Sequence, residues 1–179
     1  SAASDVYKRQ VYGLAKLMGG KKPFVDKLQM VFDEGLYDPA NEPDIAYAHL
    51  FSYFKGEEWR TQKETQRLLD KYFTTKPDGI PGNDDTGTMS AWAIFNMIGF
   101  YPDCPGLPEY TLTTPVFNKV TIRLDPKWYK ENELVIESNR TGSETLYINK
   151  VLLDGKKFNK YRITHDELVH GKRLIFDLK

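Results

Sequence analysis

A proline-rich segment divides the sequence into two parts with different patterns of apolar residues. Pro102, Pro105, Gly106, Pro108 and Pro115 fall within fourteen residues, and proline removes a backbone donor and breaks the interior of a helix. Before this segment apolar residues recur at helical spacing, whereas after it they alternate with polar residues as in strands. The sequence therefore predicts an α+β fold, with helical hairpins followed by a small antiparallel β region.

The helical part is predicted to contain five helices, most of which end at glycine. The third begins after Asn41, a good N-cap residue, with Pro43 in its first turn. Loops that alternate between short and long favour hairpins in a helical array over a closed four-helix bundle. The predicted segments are residues 1–10, a linker or adaptor that is not native; 11–101, the helices; 102–115, a proline-rich linker; and 116–179, the strands.

Composition excludes two classes of function. The 179 residues include 25 basic and 25 acidic ones, and no stripe of Lys and Arg forms the basic footprint of a nucleic-acid-binding protein. No apolar run approaches the roughly 20 residues that a transmembrane helix needs. The single cysteine excludes an internal disulfide. We therefore expect a globular protein that binds neither nucleic acid nor membrane.

A polar loop at residues 79–87 precedes the fifth helix and carries two adjacent carboxylates, Asp84 and Asp85. The unpaired N–H groups and the dipole of a helix N-terminus favour ionised carboxylates there. Such oxygens suit a general base or a ligand for a hard cation. The alternative is structural, because Asp, Asn and Gly also cluster in turns and N-caps for conformational reasons.

A second polar pair, Asn41 and Glu42, lies at the start of the third helix. Capping and complementarity with the helix dipole would explain both residues without any ligand. In a helical array, however, the loops that precede alternate helices can lie at the same end of the array. The carboxylates of the two loops are therefore candidates to line one cleft.

The other chemically versatile residues have simpler interpretations. His49, His165 and His170 are not spaced as a metal site, so solvated or capping roles are expected. Cys104 has no neighbouring base and is expected to be a packed thiol. Trp92 is expected in the core rather than at a sugar-stacking surface.

Four motifs together resemble glycoside hydrolase family 92, the calcium-dependent inverting exo-α-mannosidases. The resemblance runs from about Val11 to the C-terminus, in the order and spacing of the family. The motifs are Asn41-Glu42-Pro43, Gly82-Asn83-Asp84-Asp85 with Met89-Ser90-Ala91-Trp92, Gly99-Phe100-Tyr101-Pro102 with Cys104-Pro105-Gly106, and Tyr161 with Ile163-Thr164-His165-Asp166-Glu167.

The resemblance implies a fold and a set of roles. Family members have an N-terminal β-sandwich domain and an (α/α)6 barrel, of which residues 11–101 would supply the later helices. The general base is assigned to the Asp84/Asp85 pair, with Asp85 favoured. Asn83, Asn41 and Glu42 are placed at the mannose, and Asn41 and Glu42 also at its Ca²⁺ cofactor.

The resemblance also implies that part of the site lies elsewhere. The family's general acid is a glutamate in a Glu-Gly-x-x-Trp-Gln-Tyr block upstream of the Val11 helix, and this chain has no such block. We therefore expect this polypeptide alone, without the N-terminal portion of its parent, to be inactive. The parent is expected to be secreted, periplasmic or on the cell surface and to act on mannose-containing glycans.

Two alternatives remain open from the sequence. A non-catalytic carbohydrate-binding or structural module would bind mannosides without turnover, or use the two loops only to cap helices. Another (α/α)6 enzyme, such as a disaccharide phosphorylase, would depend on phosphate.

Overall fold

Helices and strands separate along the chain in the computed structural model, which describes residues 10–142 and 145–179. It forms two units: residues 10–93 with 103–105, and residues 94–102 with the described part of 106–179. The predicted adaptor at residues 1–10 lies outside the described residues except for Gln10. The mixed α and β content agrees with the predicted class.

The first unit contains most of the helices. They are α1 (Val11–Leu17), α2 (Lys21–Asp33), a 3-10 helix (Glu42–Tyr53), α3 (Glu58–Tyr72), a 3-10 turn (Asp85–Gly87) and α4 (Thr88–Ile98), whose last residues belong to the second unit. Gly99 follows directly after the end of α4, where the sequence predicts a glycine, and the backbone there has φ +117 and a Cβ would lie 3.0 Å from Cγ of Pro115. None of the described helices combines the length and apolar character needed to cross a bilayer.

The third predicted helix is a 3-10 helix rather than an α-helix. Apart from Asp44, its buried residues lie in two rows with a spacing of three, Ile45, Ala48 and Phe51 in one row and Ala46, His49 and Ser52 in the other. A 3-10 helix has three residues per turn, so side chains at i and i+3 eclipse and each row faces the core. The spacing of 3.6 assumed for this segment was wrong for that reason.

Aromatic side chains fill the core of the first unit. Trp92 is buried, its indole Nε1 donates to the carbonyl of Ile45 at 3.0 Å, and its ring stacks on Phe73 with centroids 5.4 Å apart. Cys104 is also buried, so both core predictions are confirmed. His49 was expected to be solvated or capping but is fully buried against Trp92, because it lies on a core-facing row of the 3-10 helix.

The strands form two sheets in the second unit. A three-stranded antiparallel sheet has the order β1 (Phe100–Tyr101), β2 (Glu109–Leu112), β7 (Arg162–Thr164). A five-stranded sheet has the order β3 (Lys119–Arg123), β4 (Glu133–Arg140), β8 (Arg173–Leu178), β5 (Ile148–Leu153), β6 (Lys156–Phe158). A short helix, α5 (His165–His170), connects β7 to β8.

Two features of the β region differ from the prediction. The β4 and β8 strands pair in parallel, whereas an all-antiparallel region was expected. Parallel neighbours need a long crossover, and this one spans β5 to α5, so the pairing has no local sequence signal. The residues 109–112 of the predicted linker form β2, because the prolines lie on either side of it and leave its backbone donors available.

The sequence predicts two local features of this unit, a turn at Asp154-Gly155 after an apolar run and a capping box at Thr164-His165-Asp166-Glu167, and both are confirmed. Asp154 and Gly155 adopt φ 50 and 76 between β5 and β6, as in a type I′ hairpin. Thr164 and Glu167 form a capping box at the start of α5: the Thr164 hydroxyl accepts from the Glu167 N–H at 3.1 Å, and the Thr164 N–H donates to the Glu167 carboxylate at 3.0 Å. That hydrogen bond from the Thr164 backbone holds the pKa of Glu167 below its ordinary value.

Thr164→Ala should lower the free energy of unfolding of the protein by about 1 kcal/mol, because the Glu167 N–H loses its acceptor. Thr164→Ser is the matched control and should retain most of the stability, since it keeps the hydroxyl. Chemical unfolding monitored by circular dichroism measures the difference. Equal losses in the two variants would show that the hydroxyl does not stabilise α5.

Candidate active site

Asp84 is held by the first turn of α4. Its Oδ1 accepts from the backbone N–H of Ser90 at 2.8 Å, and its Oδ2 accepts from the Ser90 hydroxyl at 2.6 Å. These bonds, with the hydroxyl contributing most, hold the pKa of Asp84 below its ordinary value. The carboxylate therefore caps α4 from outside the helix, and it satisfies an N–H that has no partner within the helix.

The chain reverses directly after Asp84. Asp85 has φ 20 and Thr86 has φ 60 with ψ 24, and the left-handed conformation is rare for a β-branched residue. Two contacts close the turn: Thr88 N donates to Asp84 O at 2.7 Å, and Thr88 Oγ1 donates to Asp85 O at 2.6 Å. Asp85 and Asn83 are exposed on either side of the partly buried Asp84.

Asn41 and Glu42 begin the 3-10 helix, and both side chains are exposed. Asn41 does not cap this helix through its side chain; instead its Nδ2 donates to Oδ1 of Asp44 at 3.2 Å. Asp44 is buried, and its Oδ2 accepts from the backbone N–H of Asp38 at 3.1 Å. Burial raises the pKa of Tyr47, and so do the charge of Asp44 and the hydrogen bond between the two side chains. Asp44 is thus the centre of the network that orients Asn41.

The two polar segments come together at Gly82. A Cβ atom on Gly82 would lie 2.8 Å from Cβ of Ala40 and 3.3 Å from Cε of Met89. Gly82 directly precedes Asn83, and Ala40 directly precedes Asn41. The structure therefore brings the segment of Asn83, Asp84 and Asp85 beside the segment of Asn41 and Glu42, and it needs glycine at the contact.

The side-chain oxygens of Asn41 and Glu42 are ligands of the kind that Ca²⁺ binds, but they are too few to bind it alone. Amide and carboxylate oxygens are hard ligands of the kind that Ca²⁺ takes, and it usually takes six to eight of them. Within residues 10–142 and 145–179, no group of three or more His, Cys, Asp and Glu side chains is arranged to hold a metal ion. These residues do not by themselves complete a calcium shell.

An apolar groove of about 380 Å³ lies between α1, α2 and the 3-10 helix. Its lining includes Leu14, Phe24, Leu28, Pro43 and Leu50, and among the lining residues that the structure describes Lys27 alone is charged. A groove without convergent polar groups offers no acid, base or cation ligand. We therefore take the two polar segments, and not this groove, as the candidate site.

Sequence reasoning missed the two residues that orient the site. Ser90 was considered only as part of a motif, and Asp44 was not considered as a partner of Asn41. The spacing Asn41-x-x-Asp44 is a signal that could have suggested the side-chain hydrogen bond between them. Ser90 gives no such signal, since its bond to Asp84 spans six residues across an irregular turn.

Several solved structures of similar fold are family GH92 enzymes. An α-mannosidase of family GH92 from Bacteroides thetaiotaomicron, BT3965, is 32% identical to this chain with a TM-score of 0.81, over 89% of this chain and 22% of its own. A second protein from that organism, the family GH92 inverting mannosidase BT2199, is 30% identical with a TM-score of 0.81, over 94% of this chain and 26% of its own.

Residues 4–179 match the glycosyl hydrolase family 92 catalytic domain. The chain therefore belongs to glycosyl hydrolase family 92. A curated relative from Arthroderma benhamiae, named as an uncharacterized secreted glycosidase, is 29% identical over 161 residues, which are 90% of this chain and 20% of the relative. The chain thus spans only about a quarter or less of the lengths of these relatives.

Gly82→Ala, made in the complete protein that contains this segment, should move the Asn83–Asp85 loop away from Ala40. A misplacement of about 1 Å can cost about 10²-fold in turnover, so a loss of that order is expected. Gly13→Ala is the matched control, because nothing lies within 4 Å of a Cβ there. Steady-state kinetics of both variants measure the effect. Wild-type turnover in Gly82→Ala would contradict the importance of this contact.

Proposed function

We propose that this chain is the part of an inverting α-mannosidase that carries the general base, and that Asp85 of the Asp84/Asp85 pair is that base. The observation that carries the proposal is the exposed carboxylate of Asp85, located on a strained reversal at the start of α4. Strained backbone of this kind concentrates at functional sites. Membership of glycosyl hydrolase family 92 and similarity to an inverting mannosidase support the same conclusion.

The proposed reaction needs two carboxyl groups on opposite sides of the sugar. Asp85 takes a proton from a water molecule as the water oxygen forms a bond to the anomeric carbon. A carboxylic acid from another part of the complete protein protonates the leaving oxygen as the glycosidic bond breaks. The two groups are then about 6.5–9.5 Å apart, which leaves room for the water.

Asn83, Asn41 and Glu42 are proposed to bind the mannose. Their amide and carboxylate groups offer donors and acceptors to sugar hydroxyls, and the Gly82–Ala40 contact holds the two segments side by side. Asn41 and Glu42 are also the proposed ligands of Ca²⁺ from this chain. Such an ion would supply a hard positive charge that helps to orient the hydroxyls of the sugar.

The substrate of the complete protein is proposed to be a glycan that ends in an α-mannoside. BT3965 has been solved with the inhibitor mannoimidazole, and this chain is 30% identical to it in that comparison. The secreted relative from Arthroderma benhamiae supports action outside the cytoplasm. The 179-residue chain alone should not hydrolyse mannosides, because the proposed acid lies elsewhere in the complete protein.

Asp85→Asn in the complete protein should lower kcat by about 10²–10⁴-fold, the usual contribution of a general base. KM and the melting temperature should change little, since the amide is isosteric with the carboxylate. The wild-type protein should release β-mannose first, as seen by proton NMR before mutarotation. Unchanged turnover in Asp85→Asn would remove Asp85 from the mechanism. Initial release of α-mannose would contradict inversion.

Binding and turnover measurements on the complete protein distinguish this function from a non-catalytic module and from a phosphorylase. Calcium-dependent binding of mannosides without turnover would indicate a non-catalytic module. Turnover that requires phosphate and forms mannose phosphate would indicate a phosphorylase.

Glu42→Gln in the complete protein should weaken calcium binding, because one anionic ligand becomes a neutral amide. Isothermal titration calorimetry measures this directly, without any assay of hydrolysis. Glu34→Gln, a charge-matched change at an exposed residue just after α2, is the control. Equal calcium affinity in the two variants would exclude Glu42 as a ligand.

A further inference from the structure

The two adjacent carboxylates of the candidate site have different surroundings. Asp84 is partly buried, and each of its oxygens accepts a hydrogen bond from Ser90. Asp85 is exposed, and the hydrogen bond that closes the turn at this residue uses its backbone carbonyl. A general base must offer a lone pair to water, so donors that already occupy a carboxylate make it a poor base.

We propose that Asp84 is a positioning residue: the hydrogen bonds that it accepts from Ser90 fix the reversed turn, and this turn orients the Asp85 carboxylate. This inference rests on the proposed role of Asp85. Asp84 precedes the turn and Ser90 follows it, so their two hydrogen bonds tie its ends together. The left-handed Thr86 lies between them and would relax towards ordinary dihedrals without such a restraint.

Two further contacts support this role. The Thr88 N–H donates to the Asp84 carbonyl and the Thr88 hydroxyl donates to the Asp85 carbonyl, so the backbone on both sides of Asp85 is restrained. The low pKa of Asp84 means that it stays ionised and keeps both acceptor atoms for Ser90 at neutral pH. Asp84 therefore acts on catalysis through the backbone of its neighbour rather than on the water.

The test is a double-mutant cycle in the complete protein with Asp84→Ala, Ser90→Ala and the double variant. Each single change should lower kcat by up to about 10²-fold, because the base is displaced, while KM changes little. The double variant should be no slower than Asp84→Ala, because Asp84→Ala already removes both hydrogen bonds and Ser90→Ala removes only the one from the hydroxyl. Additive losses, or wild-type kcat in Asp84→Ala, would overturn the proposal.

Asp84→Asn distinguishes positioning from chemistry. An asparagine can still accept from the Ser90 N–H and donate to the Ser90 hydroxyl, so it should recover most of the turnover that Asp84→Ala loses. At position 85, by contrast, the asparagine variant should recover no turnover relative to Asp85→Ala. Asp78→Ala, at an exposed carboxylate just before this loop, is the control and should leave kcat unchanged.

The possible failures are separable. If Asp84→Asn is as inactive as Asp85→Asn, the positioning role is wrong while the role of Asp85 stands. If Asp85→Asn keeps wild-type turnover, the proposed function of Asp85 is wrong. Melting temperatures of all variants, measured alongside, show whether a loss of kcat reflects unfolding.

Discussion

The indole of Trp92 joins the two elements on which the candidate site depends. Its Nε1 donates to the carbonyl of Ile45 in the 3-10 helix, and its ring stacks on Phe73 just after α3. One polar segment leads into the 3-10 helix and the other leads into α4, which carries Trp92. A buried hydrogen bond in an aromatic core is costly to break, so these helices keep a fixed spacing and their polar segments meet at Gly82.

The site combines a rigid support with exposed functional groups. Its supporting polar groups are Asp44, which is buried, and Asp84, which is partly buried and hydrogen-bonded. Its candidate groups for binding sugar, water or cation are exposed: Asn41, Glu42, Asn83 and Asp85. The left-handed conformation of Thr86 costs about 1–3 kcal/mol, and the hydrogen bonds around it offset that cost. Buried supporting groups beside exposed functional groups suit a site that must hold a base at a defined position.

The sequence predicted the features that local chemistry determines. Glycine at position 99 ends α4, the Thr164–Glu167 capping box begins α5, and Asp154–Gly155 turns the hairpin, each as expected. The 3-10 geometry of residues 42–53 was missed because the core, and not intrinsic propensity, selects a spacing of three there. The parallel pairing of β4 with β8 and the bond between Asp84 and Ser90 depend on residues brought together by folding. The sequence located the acidic pair, but only the structure showed that its two members have different surroundings.

The central claim is that Asp85 activates water on the face of the sugar opposite the leaving group. The most direct measurement is chemical rescue of Asp85→Ala by azide in the complete protein, with the product identified by NMR. An anionic nucleophile that enters the space of the lost carboxylate should attack from that face and form the β-mannosyl azide. Formation of the α-mannosyl azide, or hydrolysis at the wild-type rate without azide, would contradict the claim.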